Sequence, residues 1–303
     1  MSVREENMIK ITPIDYPGFD NVFDNIDFYK EKFIKDSVIV FRGANLSLED
    51  QKLFHYKLGD FFKWHTPTNE ENYYKETHSH NILIDIAKED DIMLGWHVEH
   101  CYYNNPIVAG TWNMYHLQAP PGAGKTYFID TSVVYNMLDN NSKDFLKKCS
   151  LNAKNFGLDE VFPPYKTVVD HWITGVPVIR MPIEEHWSEY GPLDEEYVGG
   201  DYKKHEVNIL HEVDGEKPTK QDYKTFSDIA RKFGNIIKNN EDIRMFHQWE
   251  QGDLVFMDAF KLAHAVTGGF KPEDREFSGI WGQKNSLSTD EVLENKWTHQ
   301  KNN

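Results

Sequence analysis

Three side chains with metal-ligand chemistry stand out by type and spacing. His97 and Glu99 share the run Trp96-His-Val-Glu99, and His264 follows far downstream, with Arg275 eleven residues beyond it. On an extended segment, residues i and i+2 point to the same side, so His97 and Glu99 can reach one ion together. His264 completes a set of two imidazoles and one carboxylate. On non-haem Fe(II) that facial set leaves positions open and suits activation of O2 beside a chelating co-substrate. Taken singly, each piece has a plainer reading. The chain has 14 His, most of which are expected to be solvated or satisfied in a core, and Arg275 could pair at the surface with Glu273 or Asp274.

A second segment offers different chemistry. Ala119-Pro-Pro-Gly-Ala-Gly-Lys-Thr126 fits a relaxed phosphate-loop pattern, and Leu254-Val-Phe-Met-Asp258 would supply an apolar strand ending in a Mg2+-binding Asp. A phosphate loop works because its backbone N–H groups and the following helix N-terminus surround the phosphates. Here Thr126 is followed by Tyr127-Phe-Ile-Asp130, which reads as strand, and two adjacent prolines remove donors from the cradle. The plainer reading is a Pro/Gly turn joining two strands. A nucleotide-binding protein using residues 119–126 stands as the alternative function.

The elements that would position these residues are mainly strands. Ile26 to Lys35 reads as a helix, Ser37 to Arg42 as a strand, and Ser47-Leu-Glu-Asp50 as the capped start of a helix burying Leu48, Leu53, Tyr56 and Phe61. Strands are expected at Ile82–Ile86, Ile107–Leu117 and Thr126–Asp130, and helix over 131–149. Thr219 opens a helix with an apolar stripe of Tyr223, Phe226, Ala230, Phe233 and Ile237. Three strands close the chain: Ile243 to Trp249, Leu254 to Asp258 and Glu276 to Gly282. Residues 184–217 are acidic and irregular, as a mobile insert within one domain spanning 1–303 would be. The fold class is α+β and β-rich, with helices packed outside the strands.

Composition bounds the partners. The 303 residues carry 33 Lys+Arg against 49 Asp+Glu, a net charge of −16, and show no basic stripe, which argues against nucleic acid. The aromatic share of 14 % favours strands and a lined pocket. Two cysteines, Cys101 and Cys149, make no disulfide framework, and no signal peptide or membrane-spanning run is read, so a cytoplasmic address is expected.

Taken together, the motifs resemble the taurine dioxygenase (TauD/TfdA) family of Fe(II)- and 2-oxoglutarate-dependent oxygenases over most of the chain. Val38-Ile-Val-Phe-Arg-Gly43 with Leu46 to Gly59 is similar to the family's opening strand and helix. Trp96-His-Val-Glu99, Asn105-Pro106 and Pro120 to Phe128 resemble its first metal-binding segment and the turn after it. Thr174 to Arg180 resembles its central Thr-Gly strand pair, and Trp249 to Asp258, His264 and Arg275 its closing motif. The resemblance implies a double-stranded β-helix (jelly-roll) core with flanking helices. It implies that His97, Glu99 and His264 hold Fe(II) as the catalytic metal centre, and that Arg275 and Thr126 bind 2-oxoglutarate. The activity implied is oxidation, typically hydroxylation, of a C–H bond in a small polar substrate with O2, releasing succinate and CO2. A jelly-roll module that keeps the ligands without turnover is the inactive alternative. Relatives often form dimers or tetramers, so a homo-oligomer is compatible.

The sequence also departs from the family. Glu99 stands where most members have Asp, as in a minority that includes amino-acid hydroxylases, and a retained carboxylate argues against halogenation. Gly279 falls where the taurine enzyme has a second arginine, and Ala259-Phe260 replaces a usual polar pair, so the resemblance does not imply taurine as substrate. An amino acid or small amine is the expected class. His65, near a family substrate position, and Trp64 and Tyr102, which would line the pocket, are the candidate substrate contacts.

Overall fold

The computed structural model describes residues 9–65, 73–77, 92–99, 107–155, 160–161, 164–181, 207–271 and 274–284. Two sheets dominate. The first carries, in order, Ile9–Lys10, β5 (Arg244–His247), β4 (Thr126–Asp130), β7 (Leu262–Thr267) and β2 (Ile92–Val98). The second runs Ile14–Asp15, β1 (Val38–Arg42), β6 (Leu254–Met257), β3 (Ile107–Leu117), β8 (Arg275–Lys284) and Trp64–His65, with Tyr73–Thr77 also pairing β8. Apart from the two short N-terminal strands, every pairing in these sheets is antiparallel.

The period of two along each strand sorts the side chains into three apolar layers. Val38, Val40, Trp112, Met114, Val255, Met257 and Phe277 of the second sheet meet Phe128 and Leu262 of the first in one cluster, so the sheets face each other across it. The alternate residues Ile39, Phe41, Leu254 and Phe256 pack outward against α1 (Phe19–Asp24), α2 (Ile26–Asp36) and α3 (Leu48–Phe62). On the first sheet, Tyr127, Ile129, Ala263, Ala265, Trp96 and Val98 pack outward against α4 (Thr131–Met137), α5 (Asn140–Lys148) and α6 (Lys220–Asn239). The α6 stripe is as the spacing predicts, opened by a capping box between Thr219 and Asp222.

Three expectations need correction. The buried face of α3 is Gln51, Phe54, His55, Leu58 and Phe62, whereas Leu53, Tyr56 and Phe61 are exposed. Polar residues occupy that seam because the sheet offers them partners: Gln51 Nε2 donates to the carbonyls of Thr111 (3.0 Å) and Ser278 (3.3 Å), and His55 Nδ1 meets Thr111 Oγ1 at 3.1 Å. Second, a further strand, β7, lies among the closing strands and carries His264. Third, Val207–Val213, inside the segment expected to be an irregular insert, is a strand paired with Cys149–Lys154. The expected strand at 82–86 and most of that insert lie outside the described residues. Among the described residues, no helix is long and apolar enough to cross a membrane.

Candidate metal and co-substrate site

β2 runs antiparallel to β7, and the register pairs His97 directly with His264. Trp96 and Val98 are committed to the outer cluster, so strand alternation turns His97 to the opposite, inter-sheet side. The two imidazole centroids are 4.1 Å apart, with planes at 56°. Glu99 follows the end of β2 and brings Oε2 to 3.8 Å from His97 Nε2 and 3.5 Å from His264 Nε2. All three ligand atoms lie within 4.8 Å of one another. Those nitrogen–oxygen separations are long for hydrogen bonds and suit three atoms converging on a common ion. Two imidazoles and a carboxylate on one side are a donor set that fits Fe(II) with positions left for other ligands. His264 is buried, while His97 and Glu99 are partly exposed, so the cluster borders solvent.

A second group lies on the same inner surface. Thr126, fully buried at the start of β4, accepts a hydrogen bond from the indole Nε1–H of Trp249 at 2.8 Å. Arg275, 2 % exposed at the start of β8, is enclosed by three rings: its guanidinium carbon lies 5.0 Å from the centroid of Phe277, 5.4 Å from Phe270 and 5.5 Å from Trp249. Its Nη1 donates to the carbonyl of Gly124 at 3.3 Å. A buried planar guanidinium in an aromatic box is shaped to take a carboxylate in two-pronged fashion. Trp249 is braced in turn by His247, whose ring lies 4.9 Å away, edge to face. His247 Nε2 meets Asp253 Oδ2 at 2.9 Å, and Asp253 Oδ1 lies 3.2 Å from Arg42 Nε. Burial holds the His247 imidazole below its usual pKa, against the pull of Asp253.

Glycines clear the space beside the histidines. Trp112 on β3 meets the His264 ring at 5.0 Å, edge on, and a side chain at Gly279, its cross-strand partner, would press on Trp112 Cδ1 and Nε1 at 3.1 Å. Trp281 stands 5.7 Å from Trp112 and lies over Gly110, where an added Cβ would collide with its ring. The Trp112 indole, backed by Trp281, therefore fills the ground beside His264, and Gly279 offers no cation there.

The structure thus brings together His97, Glu99 and His264, and separately Thr126 and Arg275. Sequence reasoning assigned no role to Trp249 or Trp112, because the contacts that matter join strands far apart in the chain. Trp64, expected to line the pocket, is instead 4 % exposed in the core beneath α3, stacked on Phe62 and packed on Phe256 and His55. Gly59 and Gly282 leave room for it, and apolar packing accounts for its burial. The His65 backbone pairs with Gln283, and its side chain and Tyr102 lie outside the described residues. The phosphate-cradle geometry is absent from residues 119–126. A turn over 121–124 leads directly into the strand β4 and not into a helix. The backbone N–H groups of Ala123, Gly124 and Lys125 are committed to Pro120 O, Gly268 O and Thr267 Oγ1.

No curated protein matches the sequence. Solved structures match the fold. A taurine dioxygenase from Burkholderia xenovorans superposes with a TM-score of 0.62 at 14 % identity, over 94 % of this chain and 91 % of that one. The protein AAD-2, in complex with Mn(II) and N-oxalylglycine, superposes with a TM-score of 0.58 at 12 % identity, over 94 % of this chain and 96 % of that one. The model of the family described as taurine catabolism dioxygenase TauD, TfdA family matches residues 13–281. The chain therefore belongs to the TauD/TfdA family, whose enzymes use Fe(II) and 2-oxoglutarate with O2.

Proposed function

We propose that this protein oxidises a C–H bond of a small polar substrate, with His97, Glu99 and His264 holding Fe(II) and Arg275 and Thr126 holding 2-oxoglutarate. The observation that carries the reading is the convergence of the three ligand atoms within 4.8 Å beside a buried, ring-enclosed arginine. When bound, the metal with 2-oxoglutarate and O2 supplies the oxidant: one oxygen atom goes to succinate, CO2 leaves, and the other converts R–H to R–OH. The chain supplies orientation. His97 and His264 present ring nitrogens from paired strands, and Glu99 adds the charge that offsets part of the metal's. Arg275 fixes the far end of the co-substrate, and Trp112 and Phe128, against the His264 ring, keep water from that side of the imidazole.

The core fits a double-stranded β-helix reading, since two antiparallel sheets face each other across one apolar layer. For the substrate we favour an amino acid or small amine. Indole faces attract ammonium groups, the chain is strongly acidic, and Gly279 leaves no cation to grip an acidic substrate on that wall. His65 and Tyr102 stay as candidate contacts to it. The retained Glu99 carboxylate favours hydroxylation over halogenation.

Succinate production from 2-oxoglutarate, measured with Fe(II) and O2 and screened over amino acids, amines and taurine, tests the reading. Turnover is expected to need both Fe(II) and O2, to be stimulated by an amino acid or small amine more than by taurine, and to be lost in His264→Ala. Undiminished succinate formation by His264→Ala would sink the assignment.

A further inference from the structure

Trp249 lies outside the ligand set, yet it touches both groups assigned to the far carboxylate of 2-oxoglutarate. Its Nε1–H donates to Thr126 Oγ1 at 2.8 Å, and the Arg275 guanidinium lies 5.5 Å from its ring centroid. An indole nitrogen can only donate, whereas a threonine hydroxyl has one proton and two lone pairs. Accepting from Trp249 therefore occupies a lone pair and turns the hydroxyl proton away from the indole. That hydroxyl is fully buried, and among the described residues Trp249 is its one hydrogen-bond partner. A buried hydroxyl proton ordinarily finds an acceptor.

We propose that Trp249 is a positioning residue for 2-oxoglutarate. Its N–H sets the direction in which Thr126 donates, and its ring sets the plane against which Arg275 lies, so that both donors meet one carboxylate. The inference rests on the assignment of Thr126 and Arg275 to that carboxylate. The indole is well placed for the task, because it is fixed from behind. His247 packs edge to face on it, and Asp253 ties down His247 while also accepting from the Glu250 N–H at 2.8 Å. The bracing groups lie in the segment 247–253, so the indole's tilt is set locally.

The test separates the N–H from the ring. Trp249→Phe keeps an aromatic face for Arg275 and removes the donor. Binding is measured by anaerobic calorimetry with Fe(II)-loaded protein, using 2-oxoglutarate and, as control, pyruvate, a 2-oxo acid without the far carboxylate. We expect 2-oxoglutarate affinity to fall roughly tenfold, the scale of one hydrogen bond to a charged group, with pyruvate affinity unchanged. In turnover the loss should sit in the KM for 2-oxoglutarate more than in kcat. Thr126→Val should match Trp249→Phe, the double variant should lose little more than either, and Thr126→Ser should retain wild-type affinity. Unchanged 2-oxoglutarate affinity in Trp249→Phe, an equal loss for pyruvate, or additive losses in the double variant would each overturn the inference while leaving the oxygenase reading intact. Failure of the wild-type protein to bind 2-oxoglutarate would remove the reading itself.

Discussion

His55 predicts how the fold responds to acid. It is fully buried on the inner side of α3, with Nδ1 3.1 Å from Thr111 Oγ1 and its ring 5.5 Å from Trp64. Burial pushes its pKa down from 6.5 to about 3, opposed by the backbone of Trp281. The folded protein therefore keeps this imidazole neutral at pH values where the unfolded chain protonates it. Its contribution to stability is fully present above pH 6.5 and falls as pH drops from there towards 3. At about pH 5 the unfolded state has gained about 2 kcal/mol from this one group, at ~1.4 kcal/mol per pH unit. For a chain of 303 residues that is a drop in Tm of about 3 °C. Urea and thermal unfolding of wild type and His55→Asn, at intervals from neutral pH to about pH 5, give the assay. The variant keeps a polar group near the Nδ1 position and does not titrate. His247 contributes with the same sign in both proteins and cancels in the difference. Wild type should lose about 2 kcal/mol more than the variant over that interval. Parallel curves would refute the claim that His55 is held neutral by burial.

Two further outcomes follow from the packing and the site. Gly110→Ala sets a Cβ against Trp281, 2.7 Å from Cε3, and should cost about 1–3 kcal/mol by overpacking; made in Trp281→Ala protein, the same change should cost little beyond what Trp281→Ala costs alone in urea unfolding, and purely additive effects would show that the ring is not what the methyl meets. Arg275→Lys keeps the charge and loses the planar fork, so 2-oxoglutarate affinity should fall at least roughly tenfold while pyruvate binding is spared. An unaltered affinity in calorimetry would mean the far carboxylate is held elsewhere.

Local pattern made much of this legible. β3 and β4 are readable because β-branched and aromatic residues run between turn residues, and α6 because its stripe recurs every three or four positions. The proposed ligand cluster is readable because His97 and Glu99 are two apart, a spacing that survives any tertiary context in which the segment is extended. Less was legible wherever a distant partner decides the outcome. In α3 the buried face includes Gln51 and His55, which the carbonyls and hydroxyls of β3 and β8 make tolerable. β7, Leu262-Ala-His-Ala-Val-Thr267, holds two alanines and is buried throughout, so neither propensity nor alternation marks it; pairing with β4 and β2 creates it. The hydrogen bond from Trp249 to Thr126 joins residues 123 apart, beyond the reach of any spacing rule.

Bulk charge and local charge pull in opposite directions here, and that opposition can be measured. The net charge of −16 repels a dianion such as 2-oxoglutarate at long range. Arg275, as the proposed anchor, would attract it only at contact, from a buried position ringed by Trp249, Phe270 and Phe277 where solvent screening is weak. Salt shortens the Debye length from ~30 Å at about 0.01 M to ~8 Å at about 0.15 M, so it removes the long-range repulsion and leaves the contact pair largely intact. Association of 2-oxoglutarate should therefore quicken with added sodium chloride, with dissociation little changed, and the KM for 2-oxoglutarate should hold or fall. A site built from exposed lysines would behave in the opposite way, losing affinity as salt rose. Stopped-flow binding across that range distinguishes the two, and slower association at higher salt would contradict a single buried arginine as the anchor.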